Sequence, residues 1–408
     1  AVDLPAGLEE MTFGSSFNHD LAAVTFPSLN DLTLGNGFNQ KMEDVKLPRG
    51  LRHLVFGRDF NQPLPRLGEL LESLSLGRDF DQPLEPLEST ASGLQTLNFG
   101  QKFNHRLPKL PKSLRHLSFG SSFNQDLREV LPESLESLTL EEGFCRSLEG
   151  VLPQGLQSLT LRGPLDHLLQ DVDLPTGLQR LTLKPTAEET LKGLRFPHQL
   201  QHLTFGFSFN QSLEDMKLPA ALQSLTLGYH FNQALLQLPK DLQVLSFGYS
   251  FDQSLEAVSF PHTLQSISFG HDFNQSLERV QLPRKLQSLT FGHNFDQSLA
   301  STVFSEGLRS LTFGYNFDQA LDDVHFPESL EVLTLGTRFD QPFQNVTLPS
   351  GLLSLTLGGS FSHSLEGVLL PSSLQSLTFG HRFTQSLQPL DLPQLQSLRC
   401  QGITADCF

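Results

Sequence analysis

The sequence predicts an all-β-rich solenoid, built as a single parallel sheet of about nineteen coils with short irregular convex returns. Two observations support this prediction. A leucine recurs at a spacing of roughly 22 residues along the 408-residue chain. The residues after it alternate between apolar and hydroxyl side chains, which is the period of a β-strand.

The repeat is defined by the first strand leucine of each unit. Its spacing lies inside the leucine-rich-repeat range, so the expected fold is leucine-rich-repeat-like. The consensus LPxxLQSLTFGxxFNQSLxxV leaves no gap for a second domain. We therefore expect residues 1–408 to form one solenoid domain, with irregular units at about 156–199. The defining leucines are Leu8, Leu29, Leu51, Leu71, Leu94, Leu114, Leu135, Leu156, Leu178, Leu200, Leu222, Leu242, Leu264, Leu286, Leu308, Leu330, Leu352, Leu374 and Leu395.

Each element of the unit has a physical explanation. In the strand LQSLTFG, Leu and Phe face one side and Thr the other, and a β-branched residue suits a pleated surface. The glycine is expected to let the chain turn without the penalty of a Cβ. Leu-Pro introduces the next strand, because Pro keeps the preceding residue extended. An aromatic after the turn returns to the interior, and its stacking at strand spacing predicts a continuous spine: Phe231, Phe251, Phe273, Phe295, Phe317 and Phe339.

A short polar residue follows each spine aromatic. An amide or carboxylate inside a coil can hydrogen-bond loop backbone that has no strand partner. Its recurrence predicts an asparagine ladder with a structural role rather than a row of ligand sites. Members are Asn18, Asn39, Asn61, Asn124, Asn210, Asn274, Asp296 and Asp318.

The string LPxxLxxLTFGxxFNQSL, seen at 218–235 and 282–299, resembles the FNIP repeat, a leucine-rich-repeat variant. The resemblance covers almost the whole chain. It implies a parallel β-solenoid that serves as an interaction surface, with no catalytic residues to carry over. The chain departs from the pattern at Cys145, Ser362 and Thr384, where the repeat has Asn, and in two consecutive units that lose the motif.

Those two units keep their strands but lose Gly, Phe and Asn. The pair Thr186 and Glu189 has the form of a capping box, so the segment TAEETLKGL is expected to make a short convex helix. Glu141, Arg162 and Lys184 take the glycine position on three neighbouring strands. Two interpretations stay open: a salt-bridged irregularity or hinge, and a secondary docking site for an acidic or polar partner.

The outward strand positions form a regular hydroxyl lattice, as at Ser288 and Thr290. Such a lattice follows from repeat duplication and β-propensity alone. It could also bind ordered water or sugars, and ice binding through this Ser/Thr lattice is a remote alternative, since leucine-rich solenoids curve and a curved lattice matches ice poorly.

The residue after the glycine changes character along the chain. It is mixed and polar in the first third, as at Ser15 and Asn36, becomes a ring in six consecutive units from residue 207 to residue 315, and then reads Thr337, Gly359 and His381. Rings with a polar tip are favoured at interfaces. Shielding of the glycine turn is the alternative explanation. We call the following set the ring stripe and expect it to be a continuous exposed, partner-binding surface: Phe207, Tyr229, Tyr249, His271, His293 and Tyr315.

Composition excludes several kinds of function. A formal net charge of −16 argues against nucleic acid as a partner, whose phosphates need clustered Lys and Arg. The sequence has no apolar run long enough to span a membrane. The start AVDLPAGLEE has neither an initiator Met nor the features of a signal peptide, which suggests a processed or trimmed segment. The compartment stays open.

The sequence holds no catalytic or cofactor motif. A nucleophile elbow, a phosphate loop and a metal-ligand cluster are all missing, so we expect no enzyme activity, no cofactor and no metal. Three cysteines are too few for a disulfide scaffold. Cys400 and Cys407 either pair or remain free thiols.

These patterns predict a non-catalytic scaffold that binds a protein or glycan partner through its strand face and rim. The alternative is a structural or accessory subunit of a larger complex, assembled through uncapped solenoid ends whose open sheet edges invite stacking.

Overall fold

The computed structural model describes residues 2–3, 5, 7–26, 28–187, 189–214, 216–387 and 392–400. The chain divides into two compact units, Ala1–Leu200 and Gln201–Phe408. Each unit is a stack of coils in which every coil contributes one short strand. Whether the repeats act as one domain stays a prediction.

The first unit contains a parallel sheet in which each strand pairs with the strand of the next coil. Val2–Asp3 and Val24–Thr25 form a separate parallel pair. The nine described strands of the sheet are Glu10–Thr12, Asp31–Thr33, His53–Val55, Ser73–Ser75, Thr96–Asn98, His116–Ser118, Ser137–Leu140, Ser158–Arg162 and Arg180–Lys184.

The second unit contains a parallel sheet built in the same way. Together, the strands of the two units confirm the predicted leucine-rich-repeat-like fold of about nineteen coils. The ten described strands here are His202–Phe205, Ser224–Thr226, Val244–Ser246, Ser266–Ser268, Ser288–Thr290, Ser310–Thr312, Val332–Thr334, Ser354–Thr356, Ser376–Phe379 and Ser397–Cys400.

The strand register places like residues on like. Leu245, Ile267 and Leu289 are direct partners on three adjacent strands, and all three are fully buried. The predicted alternation of inward Leu with outward Ser or Thr is therefore confirmed. Because each core side chain packs against its own equivalent, one unit sequence suffices for the whole stack.

The aromatic spine is present in each unit. In the first unit successive rings from Phe17 to Phe144 have centroids 6.1 Å apart. In the second unit the interval from Phe209 to Phe383 is 5.9–6.3 Å. These intervals exceed the strand spacing of about 4.8 Å that the sequence predicted. They lie within the range of offset-stacked aromatic pairs.

The asparagine ladder is confirmed, and each side chain acts on the coil that follows. Oδ1 of Asn210 accepts the backbone N–H of Asn232 at 2.8 Å, and Oδ1 of Asn232 accepts that of Asp252 at 2.9 Å. The glutamine of the motif, which the sequence analysis passed over, joins the ladder: Nε2 of Gln233 donates to Oδ1 of Asn210 at 3.1 Å. The serine after it has a structural role too, since Oγ of Ser254 accepts the N–H two residues later.

The glycine after each strand is required for a reason the sequence analysis did not predict. Positive φ angles occur at other glycines, such as Gly150 and Gly367. A Cβ built on Gly270 would instead lie 1.7 Å from the carbonyl oxygen of Gly248 on the preceding coil. The same approach recurs at Gly292, where the distance to the Gly270 oxygen is 1.6 Å. The glycine column therefore permits close contact between coil backbones rather than a special turn.

Two helices of four residues each occur in the described part of the chain, Leu87–Thr90 and Leu165–Leu168. The second lies in the first irregular unit, where the fully buried Leu165 takes the place of the spine aromatic. The sequence gives no signal for this helix, because the segment has neither helical length nor a polar N-cap.

The prediction of a short convex helix at TAEETLKGL is wrong for the described residues of that segment. One half of the capping box forms, since the Glu189 carboxylate accepts the Thr186 N–H at 2.9 Å. No helix follows there, because Leu191 turns into the core and Gly193 adopts a left-handed φ of 87°.

Candidate functional site

The ring stripe lies in the second unit, at the C-terminal ends of consecutive strands. Each member follows a strand on the exposed side of the turn, so successive coils bring the rings side by side. Centroid distances from Phe207 through to Tyr315 are 4.6, 4.5, 4.2, 4.4 and 4.8 Å, and every pair is stacked. The six predicted residues are therefore brought together in one column at close to strand spacing.

The stacked rings of the ring stripe are partly exposed to solvent. Phe207 is 60% exposed, Tyr315 46%, and Tyr229 and Tyr249 37% and 36%. The side chain of His271 is 30% exposed, and His293 is half-buried. Because the rings cover one another's faces, their edges and polar tips are the parts that a partner would meet. Four of the six rings are exposed and the two histidines are half-buried, while the role of the stripe in binding stays a prediction.

A hydrogen-bonded polar row runs beside the ring stripe. Nδ2 of Asn294 donates to Oδ1 of Asp272 at 3.2 Å, and Nδ2 of Asn316 donates to Oδ1 of Asn294 at 3.0 Å. Nη1 of Arg338 donates to Oδ1 of Asn316 at 3.2 Å. A carboxylate can only accept and a guanidinium can only donate, so the two ends of the row fix the orientation of both amides.

The same row fixes the two imidazoles. Nδ1 of His271 lies 2.7 Å from Oδ1 of Asp272, and Nδ1 of His293 lies 3.0 Å from Oδ1 of Asn294. The amide nitrogens of Asn294 and Asn316 lie further from Nδ1 of His271 and of His293, at 3.5 and 3.4 Å. Both oxygens are acceptors, so the shorter contacts place the proton on each Nδ1. In a neutral imidazole the lone pair then belongs to Nε2, which can accept a hydrogen bond. For neither Nε2 does the described part of the chain supply a hydrogen-bond partner.

Tyr249 is stacked between Tyr229 and His271. Partial desolvation, followed by the neighbouring Tyr229 phenol and the Asp272 carboxylate, raises the pKa of Tyr249 above its usual value of 10.0. The phenol therefore keeps its proton and can donate a hydrogen bond throughout the neutral pH range.

The strand face next to the ring stripe carries no Asp, Glu, Lys or Arg on its outward positions. On the five strands from His202 to Thr290 the outward residues are Ser, Thr, Val and a single His. The residue before each of these strands is Gln, from Gln201 to Gln287. We call this surface the neutral face. Charge resumes on the next coils, where Arg309 pairs with Glu331.

The strand face of the first unit has a different character. Arg52 pairs with Glu72, and Arg115 pairs with Glu136, across adjacent coils. In the column equivalent to the ring stripe this unit has Ser15, Asn36, Arg58 and Arg78. The two units thus have cores of the same kind and differ in surface chemistry.

The secondary docking candidate is a network of ion pairs. Nε of Arg162 lies 2.9 Å from a carboxylate oxygen of Glu142, and Nη1 lies 3.4 Å from one of Glu141. Arg162 and Lys184 are register partners on adjacent strands. Glu142 was missed from the sequence because only the glycine position was compared. This geometry favours the salt-bridged irregularity, and a docking role for Glu141, Arg162 and Lys184 stays a prediction.

Several further sequence expectations concern chemistry outside the ring stripe. In the described ranges, His, Cys, Asp and Glu residues form no cluster of three or more suited to a metal ion. None of the helices there has the length and apolar character needed to cross a bilayer. Cys145 is exposed, and its Sγ accepts a hydrogen bond from Nδ2 of Asn124 at 3.0 Å. Cys407 lies outside the described residues, so both alternatives for Cys400 and Cys407, a disulfide or two free thiols, stay open.

Comparison with known proteins identifies the repeat. The FNIP Repeat family matches the chain at residues 38–68, 103–143, 123–163, 188–230, 209–250, 231–272, 251–294, 273–316, 317–360 and 361–399. The chain belongs to the FNIP-repeat family. The resemblance inferred from the sequence is thus confirmed. No curated protein matches this FNIP-repeat chain at a significant level.

A solved structure supports the same fold. CroV588, described as a novel circular leucine-rich-repeat protein, is similar with a TM-score of 0.73 and 32% sequence identity, over 97% of this chain and 66% of CroV588. The family match and this likeness make the FNIP-repeat protein a leucine-rich-repeat-like scaffold, a fold typically used for protein interaction and generally non-catalytic. YopM from Yersinia enterocolitica WA-314 also matches 97% of this chain and 91% of its own, with a TM-score of 0.49 and 17% identity.

Proposed function

We propose that this chain is a non-catalytic scaffold that binds a protein partner through the ring stripe and the neutral face. One observation carries the proposal. Two separate columns change character together over five coils, since a ring follows each strand from His202 to Thr290 and these strands carry no Asp, Glu, Lys or Arg on their outward positions. The sixth ring, Tyr315, lies on the coil where charge resumes at Arg309. The residues of the FNQSL motif already stabilise the coils. The fold therefore does not require rings after the glycine or uncharged residues on the strand face.

The packing of the rings favours a protein over a glycan. Sugars are usually held against the open face of an aromatic ring, whereas the rings from Tyr229 to His293 are covered on both faces by their neighbours. Their edges carry the positive part of the ring quadrupole and suit carbonyl or carboxylate oxygens. Tyrosine tips add hydrogen-bond donors, in the manner of many protein interfaces.

The test is a capture experiment with the purified chain immobilised on a solid support. The double variant Tyr229→Ala/Tyr249→Ala should lose the proteins that the parent captures from native extract, without a lower melting temperature. The matched control Ser15→Ala/Asn36→Ala changes the same column in the first unit and should keep them. Equal capture by the parent and the ring variant would overturn the proposal, and a captured glycan in place of a protein would support the alternative partner.

A further inference from the structure

We propose that the partner of the ring stripe is the ring stripe of a second copy of this chain, docked about a two-fold axis. This inference rests on the proposed function, because it names the partner for the same surface. It comes from the order of donors and acceptors along the stripe, which is self-complementary in one antiparallel register.

The polar tips divide into two kinds. Tyr229, Tyr249 and Tyr315 present hydroxyl groups, which can donate. His271 and His293 present Nε2 lone pairs, because Asp272 and Asn294 hold the protons on Nδ1. Phe207 has no polar tip and is the most exposed ring of the stripe. Along the coils the order is therefore apolar, donor, donor, acceptor, acceptor, donor.

A two-fold axis reverses this order in the second copy. Full overlap then places Tyr249 against His271 of the second copy and Tyr229 against His293 of the second copy. Phe207 meets the ring of Tyr315 of the second copy. The axis generates each contact twice, as in every isologous interface. Each imidazole acceptor thus meets a phenol donor, and the exposed apolar ring is covered.

Other registers are poorer. A shift by one ring in one direction sets His293 against Phe207 of the second copy, which leaves an acceptor without a donor. A shift in the other direction sets His271 against His271 of the second copy. Leaving a desolvated polar group unpaired costs more than a single hydrogen bond contributes, so the fully overlapped register is favoured.

The spacing of the rings also favours a second stack of coils as the partner over a single strand or helix. Adjacent rings lie 4.2–4.8 Å apart, and their planes differ by 3–21°. Residues on one face of a β-strand repeat at about 6.6–6.8 Å, and a helix repeats at about 5.4 Å per turn. Neither stays in register over six rings. A second ring stripe has the same interval throughout.

Charge adds an independent argument. The chain carries a formal net charge of −16, so two copies repel each other through their net charge. The ring stripe and the neutral face are where two copies can approach without apposed charges. Asp272, the carboxylate nearest the rings, is engaged by His271 and Asn294.

The experiment measures self-association of the purified full chain by analytical ultracentrifugation over a concentration series. The parent should show a monomer–dimer equilibrium. Tyr249→His alone sets His against His in this register, and His271→Tyr alone sets Tyr against Tyr, so each should weaken the dimer by roughly tenfold or more. The control Ser15→Ala/Asn36→Ala should dimerise like the parent.

Two rescues test the register itself. The double variant Tyr249→His/His271→Tyr restores both pairs and should dimerise again. An equimolar mixture of the two single variants should form a mixed dimer, because each lost pair is re-formed across the axis. Failure of both rescues would overturn the register, and a parent that stays monomeric at high concentration would overturn self-association. In the monomeric case, loss of a different captured protein by Tyr229→Ala/Tyr249→Ala would leave the proposed function standing, and unchanged capture would remove both.

Discussion

The side-chain oxygen of Asn39 accepts the backbone N–H of Asn61, one coil further along the chain, at 2.9 Å. It also accepts Nε2 of Gln62 at 3.2 Å. One acceptor thus holds both a loop backbone and the side chain beside it. Neither donor takes part in hydrogen bonding between strands. The asparagine therefore supplies an acceptor to groups that would otherwise lack one inside the coil.

Asn39→Ala should lower the free energy of unfolding by about 1–3 kcal/mol, since it leaves two donors without an acceptor. Asn39→Asp should cost much less, because the carboxylate keeps the acceptor and aspartate occupies the same column at Asp81. Denaturant unfolding of both variants provides the measurement. Asn345→Ala, in an exposed turn, is the control. Similar losses from Ala and Asp would contradict the acceptor role.

Phe273→Ala should cost about 3–5 kcal/mol, from lost burial and the cavity that remains. The ring is fully buried and stacks on Phe251 and Phe295 at 6.0 Å and on Phe269 at 3.9 Å. The damage should be confined to neighbouring coils, so unfolding should become two-step in calorimetry. Thr290→Ser on the outer face should melt like the parent, and an unchanged melting curve for Phe273→Ala would refute its place in the core.

Gly270→Ala should destabilise the chain by about 1–3 kcal/mol, through displacement of the Gly248 backbone by the added Cβ. Gly307→Ala is the matched control, since its nearest atom would lie at 3.7 Å and its φ is not positive. That change should be neutral or stabilise by about 0.4–1 kcal/mol. Thermal unfolding distinguishes the two, and equal melting temperatures would show that the coils do not depend on the glycine.

The Tyr249 phenol should ionise later than an ordinary tyrosine in a spectrophotometric titration. The chain contains 3 Tyr, so the late phase can be assigned by its loss in Tyr249→Phe. Because the folded-state pKa is raised, the associated stability is fully present below pH 10.0 and is lost as the pH rises through the folded-state value. A single common transition for all three phenols would contradict this.

Much of the fold could be predicted because the same residue pattern recurs in successive units, so each inference is supported many times. The inward Leu, the Phe spine and the Asn ladder each follow from residue type and strand period, as Leu289, Phe273 and Asn210 illustrate. The glycine column was predicted for the wrong reason, since sequence shows that Cβ is absent but not which atom would meet it. The closeness of Gly248 to Gly270 appears only when two coils are stacked.

The ring stripe was predictable as a column, and its hydrogen bonding was not. The spacing of Tyr249 and His271 along the chain placed them on adjacent coils. The roles of Asp272 and Asn294 depend on side-chain directions beside the column, which the repeat does not specify because this position varies freely. The irregular units were hardest, since Leu165 replaces an aromatic through a helix with no sequence signal.

The asparagine ladder has a direction. Among the described residues, the acceptor on one coil holds the backbone amide of the following coil, from Asn18 to Asn39 and from Asn39 to Asn61. A defect at Asn39 therefore releases the amide of residue 61, and hydrogen–deuterium exchange should accelerate there while residue 39, still held by Asn18, stays protected. Local opening in this protein therefore has a direction along the chain: loss of the acceptor on one coil should increase amide exchange on the following coil and not on the preceding one.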